Sequence, residues 1–298
     1  MKTKIAFIGL GNMGLPMALN LTKSKKLKVV GYDINIRAQK RFKSKGGKIS
    51  DSLEDLINSV DIIITCLPGP KQITNVAFGK KRIINNLDKK KIWIDCSTNS
   101  TSCFNKIKKK LGDRIVNFID APISGGSVNA KSGELSIFVG GKKSTFNKVK
   151  MILNLLGKNI YVLETFGAGY AAKIAQVSLC YLNYLSLSEA LMIGVKSGIK
   201  PKLMLDIIDK SASGGFTSSK YGPHMIDGSY DSSFSLGLSY KDLILANEII
   251  RSKKMDLPVT NLTTKIYKKA LKKYGEKVNH LEVVKLIEES NKKVLHKS

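Results

Sequence analysis

The apolar run Ile5-Ala-Phe-Ile breaks directly into Gly9-x-Gly11-x-x-Gly14, and Met13, Met17 and Leu21 then recur at helical spacing. A short strand that feeds through a glycine turn into a helix is the opening of an α/β layer structure. It commits the next segments of the chain to building that layer. They have the pattern it needs. Strand-like runs at Lys4–Gly9, Leu27–Asp33, Asp61–Leu67, Lys91–Ser97, Arg114–Ala121, Glu134–Gly140 and Asn159–Leu163 alternate with helical patterns. Ser52-Leu-Glu-Asp55 reads as a capping box opening one of those helices. Strands alternating with helices imply a parallel, doubly wound sheet.

After Phe166 the pattern changes. Ala171–Lys196 is a long, mostly apolar stretch with no breaker until Gly198 and Pro201. Lys202–Lys210, Ser239–Lys253, Val259–Tyr274 and Leu281–Lys293 carry helical periodicity, and Ser211–Gly215 reads as a loop. The expected organisation is an α/β domain over 1–164 followed by an all-helical domain over 165–298.

The glycines of the opening loop have separate duties. Gly9 permits the tight turn, Gly11 lets backbone approach a pyrophosphate, and Gly14 lets helix and sheet pack closely. Leu10, Asn12 and Met13 complete the loop, and the N–H groups at the helix start face the phosphates. Asp33 ends the second strand roughly twenty residues further on, where a carboxylate takes both hydroxyls of an adenosine ribose. It repels a 2′-phosphate, and Ile34 offers no charge to offset that. The expectation is NAD, with NADP kept open by Arg37. Cys66-Leu67-Pro68-Gly69 and Asp95-Cys96-Ser97-Thr98 each end a strand with turn or polar residues. They are either ligand-facing strand ends or ordinary loops.

Two later segments carry chemistry. In Asp120-Ala-Pro-Ile-Ser124-Gly125-Gly126-Ser127, consecutive glycines beside a serine hydroxyl form either an anion nest suited to a carboxylate or a tight turn. In Gly167-Ala-Gly169-Tyr-Ala-Ala-Lys173, one lysine sits a turn into a helix among Ala171, Ala172, Ile174 and Ala175. A helix start, neighbouring cations and burial all disfavour its charged form, moving it toward the working range of an acid–base group. The bland alternative is a surface lysine. Lys241-Asp242 on its own reads as a surface pair.

Composition excludes more than it proposes. Fifty basic residues against 23 acidic give a net charge of +27. Arginine, the better residue for phosphate and base contacts, is confined to positions 37, 41, 82, 114 and 251, and the lysines fall in scattered short runs. The charge therefore reads as a solvated lysine-rich surface that draws small carboxylates, not as a nucleic-acid site. Cys66, Cys96, Cys103 and Cys180 show no Cys-x-x-Cys spacing, and His224, His280 and His296 are far apart, so thiols and no metal site are expected. Apolar runs are strand-sized, giving no membrane span and no targeting segment, hence a cytoplasmic location.

Together these motifs resemble the β-hydroxyacid dehydrogenase family, which includes 3-hydroxyisobutyrate dehydrogenase and tartronate semialdehyde (2-hydroxy-3-oxopropionate) reductase. The likeness runs in order from Ile5 to at least Ala246: Gly9-x-Gly11-x-Met13-Gly14, Asp95-x-Ser97-Thr98, Asp120-Ala-Pro-x-Ser-Gly-Gly126, Gly167-x-Gly169-x-x-x-Lys173, Ser188-Glu-Ala-Leu191 and Lys241-Asp242-Leu243. It implies a Rossmann-like domain and a helical one, joined as a homodimer or homotetramer. It also implies hydride transfer between a nicotinamide and a small 3-hydroxy acid or its semialdehyde. Lys173 would be the acid–base group. Ser124, Gly125, Gly126, Gln176 and Asp242 would serve the substrate, with Asp242 also helping to order the active-site lysine. Leu67, Pro68, Thr98 and Lys241 would line the nicotinamide end. The chain departs from the family pattern where an asparagine is usual, three or four residues after the lysine; here stand Gln176 and Val177. That departure and the charge support an alternative, a catalytically weak member acting as a nucleic-acid or protein-binding module.

Overall fold

The computed structural model describes residues 2–79, 82–88 and 90–296. Two compact units divide the chain, Met1–Lys173 and Ile174–Ser298. In chain order the first comprises β1 (Thr3–Ile8), α1 (Gly14–Thr22), β2 (Leu27–Tyr32), α2 (Ile36–Ser44), β3 (Lys48–Ile49), α3 (Leu53–Asn58), β4 (Ile62–Thr65), α4 (Pro70–Ala77), α5 (Ile83–Asn86), β5 (Ile92–Asp95), α6 (Thr101–Leu111), β6 (Phe118–Asp120), β7 (Ile123–Ser124), α7 (Gly126–Ser132), β8 (Leu135–Val139), α8 (Lys143–Asn154) and β9 (Gly157–Val162). A long helix, α9 (Ala168–Lys196), begins in the first unit and continues into the second. There it is followed by α10 (Pro201–Asp209), α11 (Phe216–Ile226), α12 (Leu236–Ser252), α13 (Pro258–Tyr274) and α14 (Lys285–Ser290). The break between the units falls inside α9, so Lys173 belongs to the first.

Six strands form one parallel sheet in the order β3-β2-β1-β4-β5-β6. Its central strands are apolar at nearly every position because both faces are covered. Alternate residues feed two different cores: Ile5, Phe7, Ile62, Ile64, Ile92 and Ile94 pack with Met17 and Leu21 of α1. Ala6, Ile8, Ile63 and Trp93 pack with Leu56, Ile73, Phe104 and Ile107 on the other side. The strand period of two thus sends one stretch of sequence into two hydrophobic layers. Ser52 caps α3 by accepting the Asp55 N–H, as the capping-box spacing implies.

The expected strand over Arg114–Ala121 is shorter in the structure. Residues 112–117 form a 3-10 turn, and only Phe118–Asp120 joins the sheet. Beyond it, Pro122 has no N–H to extend a ladder, and the chain leaves the parallel sheet. The later strands, expected to continue it, instead make a separate sheet, β7-β8-β9, with β7 antiparallel to β8 and β8 parallel to β9.

The second unit is largely helical. Along α9, Val177, Tyr181, Tyr184, Ser188, Leu191 and Val195 are buried at three- and four-residue spacing, one face of a helix. The apolar ones pack in a core with Leu205, Met225, Leu243, Tyr267, Leu281 and Val284. Helix α11 carries no periodic signal: its buried face is Ser218, Gly222 and Met225, and Pro223 lies inside it. The segment 281–293 is a 3-10 turn followed by the short α14. Buried His280 lies 2.8 Å from the Asp231 carboxylate, which it holds well below the usual carboxylate range. Among the described residues no helix is long and apolar enough to cross a membrane.

Close backbone approach separates two glycines that look alike in sequence. A Cβ on Gly169 would lie 2.3 Å from the Phe138 carbonyl oxygen and 2.8 Å from that of Asp120, whereas one on Gly11 would meet nothing within 4 Å. Gly169→Ala is therefore expected to destabilise the protein by about 2 kcal/mol or more, and Gly11→Ala by no more than about 0.5 kcal/mol. Thermal melts of the two variants check this; equal losses would contradict the packing account.

Candidate functional site

A parallel sheet collects the ends of its strands at one edge, and the sequence motifs of the first unit gather there. The glycine loop leaves β1 with Gly9 at φ +100°, a conformation that L side chains rarely adopt. A Cβ there would sit 2.2 Å from the Cys66 carbonyl oxygen, and one on Gly14 would sit 1.9 Å from the Gly9 carbonyl oxygen. Gly11 and Asn12 are exposed, and the space over Gly11 is open. Two glycines are thus required by the protein's own packing, while the third leaves a surface on which a phosphate can lie against backbone.

Asp33 follows β2 and is half-buried. Its Oδ2 accepts the Leu10 N–H at 2.7 Å and its Oδ1 the Asn35 N–H at 2.8 Å. One carboxylate thereby ties the glycine loop to the turn after β2. Each oxygen keeps a second acceptor direction, so the group remains fit to take ribose hydroxyls. Open space at Gly11 and this braced carboxylate fit a dinucleotide.

At the ends of β4 and β5 the loops are cross-linked. The Leu67 N–H donates to Ser97 Oγ at 2.8 Å, and the Ser97 N–H donates to Asp95 Oδ1 at 3.1 Å. Pro68 is exposed and Thr98 half-buried. Asp95 is fully buried and also accepts from Thr65 Oγ1 at 2.8 Å; Thr65 in turn accepts from the Trp93 indole at 3.0 Å. Burial pushes the Asp95 carboxyl up, against the pull of these donors and of Tyr170. The same burial takes the neighbouring Cys66 thiol up to about 12, making it inert.

Ser124 ends β7, half-buried, and Gly125 and Gly126 turn the chain into α7 with φ +130° and +69°. Both glycines are exposed. Asn20 of α1 holds this turn's helix by donating to the Ala130 and Lys131 carbonyls at 2.9 and 3.3 Å. The helix next to the glycine loop therefore also positions the Ser-Gly-Gly turn.

Sequence reasoning missed how α9 is seated. Asp120, at the end of β6 and fully buried, accepts the Gly167 N–H at 2.9 Å and the Tyr170 N–H at 3.2 Å. Both donors belong to the start of α9, where N–H groups have no helical partner. The Tyr170 hydroxyl donates to Asp95 Oδ2 at 2.5 Å. Lys173 comes three residues later on the same helix. A signal was present: an aspartate ending each of two apolar strands is a buried charge that must find donors.

The remaining motif residues lie in the second unit. Gln176 is exposed, its side-chain amide 3.2 Å from Cys180 Sγ. Asp242 is buried; its Oδ2 accepts the Tyr181 hydroxyl at 2.9 Å and its Oδ1 lies 3.0 Å from Lys241 Nζ. Far from a plain surface pair, Lys241-Asp242 anchors α12 to α9 through Tyr181.

Residues 4–164 match the family model for the NAD-binding domain of 6-phosphogluconate dehydrogenase. Residues 167–287 match that for the NAD-binding domain of NADP-dependent 3-hydroxyisobutyrate dehydrogenase. The chain is 34% identical to 2-(hydroxymethyl)glutarate dehydrogenase of Eubacterium barkeri, over 89% of this chain and 88% of that protein. It is 32% identical to the mitochondrial 3-hydroxyisobutyrate dehydrogenase of Rattus norvegicus, over 97% of this chain and 88% of the other. A Mycobacterium tuberculosis 3-hydroxyisobutyrate dehydrogenase solved with L-serine shares the fold, with a TM-score of 0.87 at 24% identity, covering 96% of this chain and 99% of that one.

Burial also pushes Asp120 up to about 7, from 3.8, against the N–H donors of Gly167 and Tyr170. An acid whose folded value exceeds its unfolded one binds its proton more tightly when folded. Its contribution to stability is full below about pH 4 and is lost as the pH rises through about 7. Asp120→Asn is expected to remove that component, so its urea midpoint falls less than that of the parent between pH 4 and 8. Parallel curves for the two proteins would refute the assignment.

Proposed function

Because the chain belongs to the 3-hydroxyisobutyrate dehydrogenase family of NAD(P)-binding β-hydroxyacid dehydrogenases, we propose that it oxidises a small 3-hydroxy acid, or reduces the corresponding semialdehyde, with Lys173 as acid–base group. The observation that carries this reading is the seat of α9. Asp95 and Asp120 fix its first turn to the strand-end edge that also bears the glycine loop, so Lys173 belongs to the same unit as that loop. Helical side chains lean toward the helix start, which directs the lysine back toward that edge. Lys173 would take the hydroxyl proton in oxidation and return it to the carbonyl oxygen in reduction.

The names of the two relatives share one chemical unit, a hydroxymethyl group on the carbon bearing the carboxylate. Substrates of this class suit a site with one anion nest and one acid–base group. Ser124, Gly125 and Gly126 would hold the carboxylate through N–H groups and a hydroxyl, setting the carbinol carbon for reaction. Gln176 would contact the rest of the substrate, its extra methylene relative to asparagine narrowing the room there. Asp242 would act by holding Lys241 and the start of α12.

NAD is the favoured coenzyme. Gly9, Leu10, Gly11, Asn12, Met13 and Gly14 would cradle its pyrophosphate, and Asp33 would bind its ribose. Leu67, Pro68, Thr98 and Lys241 would line its nicotinamide end. Bound there, the nicotinamide supplies the hydride acceptor or donor. Asp33 disfavours a 2′-phosphate, and Ile34 beside it is 86% exposed and uncharged. A homodimer or homotetramer would cover the exposed apolar residues of the helical unit, Leu203, Ile207, Phe216, Val259 and Leu262. The four cysteines are free thiols, in keeping with a cytoplasmic location.

Lys173→Ala is expected to lose at least about a hundredfold in kcat while binding NAD as the parent does, with turnover of 3-hydroxyisobutyrate, glycerate and 2-(hydroxymethyl)glutarate as the assay. Undiminished turnover in that variant would remove the mechanism. In the same assay NAD should exceed NADP by about tenfold or more in kcat/KM, as an uncompensated charge repulsion at Asp33 requires; equal values would remove Asp33 as the selector.

A further inference from the structure

We infer that Tyr170, through the strand-end carboxylate Asp95, is the positioning residue that fixes Lys173 relative to the Leu67–Thr98 end of the nucleotide site. The inference rests on the reading of Lys173 as acid–base group. Tyr170 is a large polar side chain, 3% exposed, in a run otherwise made of glycine and alanine. Its hydroxyl reaches Asp95 Oδ2 at 2.5 Å, its N–H reaches Asp120 Oδ2 at 3.2 Å, and its ring packs edge-on against Phe104 at 5.8 Å. One residue is thereby held by backbone, hydroxyl and ring at once.

Asp95 is the hub. Its other oxygen takes the Ser97 N–H, and Ser97 Oγ takes the Leu67 N–H. Thr98 is the next residue in the chain. A continuous run of three hydrogen bonds thus leads from Tyr170 through buried Asp95 and Ser97 to Leu67. On the other side, Lys173 lies one helical turn from Tyr170 on the same face, about 4.5 Å further along the axis at 1.5 Å per residue. The backbone N–H bonds to Asp120 stop the helix start from lifting off the sheet. The Tyr170 hydroxyl, tied to Asp95 away from the helix axis, adds a contact that opposes rolling of the helix. A small roll would displace the lysine amine from the reacting oxygen, where misplacement by an ångström costs about a hundredfold in rate.

Tyr170→Phe keeps the ring on Phe104 and deletes only the hydroxyl. Leu27→Ala serves as a comparison, because Leu27 starts β2, away from β5 and β6 in the sheet, and is buried, so it loosens the fold without touching the tether. Turnover, NAD affinity and amide exchange are measured on the full chain. Tyr170→Phe is expected to lose about tenfold or more in kcat, with the Kd for NAD and the KM for substrate within about twofold of the parent. Its amides over residues 170–173 should exchange faster than those of Leu27→Ala, which should keep its kcat despite a lower melting temperature. Parental kcat in Tyr170→Phe, or exchange over 170–173 no faster than in Leu27→Ala, overturns the inference. Loss of kcat in Leu27→Ala equal to that in Tyr170→Phe overturns it too, since general destabilisation then accounts for both. An unmodified chain that turns over no hydroxy acid overturns the dehydrogenase reading and the catalytic part of this inference together. A chain active without Lys173 overturns the acid–base reading alone, and the exchange comparison then decides the tether.

Discussion

Two carboxylates buried at the ends of adjacent strands organise the first unit. A buried anion is costly unless donors surround it, and at the carboxyl edge of a parallel sheet few backbone donors remain. Asp120 finds its donors at the start of α9, whose N–H groups lack helical partners. Asp95 finds one in the Tyr170 hydroxyl and others in Thr65 and Ser97. Each side of the junction satisfies what the other lacks. A 29-residue helix is held by its first turn as a result.

That junction explains the glycines around it. Gly169 has no room for a methyl group between the Phe138 carbonyl and Asp120, and Gly140 is pressed against the Asp120 carboxylate itself. The same economy of space recurs at the glycine loop, where Gly9 and Gly14 are needed for packing. Gly11, by contrast, faces open space.

The family fold was legible because its signals are local. A β-strand period of two and a helical period of 3.6 are written in consecutive residues, and the Gly9–Gly14 loop joins one to the other. The strand ends bearing Leu67 and Ser97 could be located for the same reason, whereas the short strand ending at Ser124 read only as a turn. Less legible were segments in which the buried face is small or irregular. Helix α11 buries Ser218 and Gly222, which carry no hydrophobic period. The later strands gave a correct strand signal, yet nothing in it told a parallel sheet from the separate sheet that β7 begins after Pro122.

The sequence by itself determined the α/β and helical halves, the glycine loop after the first strand, and the family motifs around Lys173, because each depends on residues close together in the chain. Only the tertiary structure decided what Asp95, Asp120, Tyr170 and Asp242 do. Tyr170 and Asp95 are 75 positions apart and Tyr181 and Asp242 are 61 apart, so no spacing rule links them. Their roles come from burial: once folding removes water, each carboxylate must take whatever donor the packing brings to it.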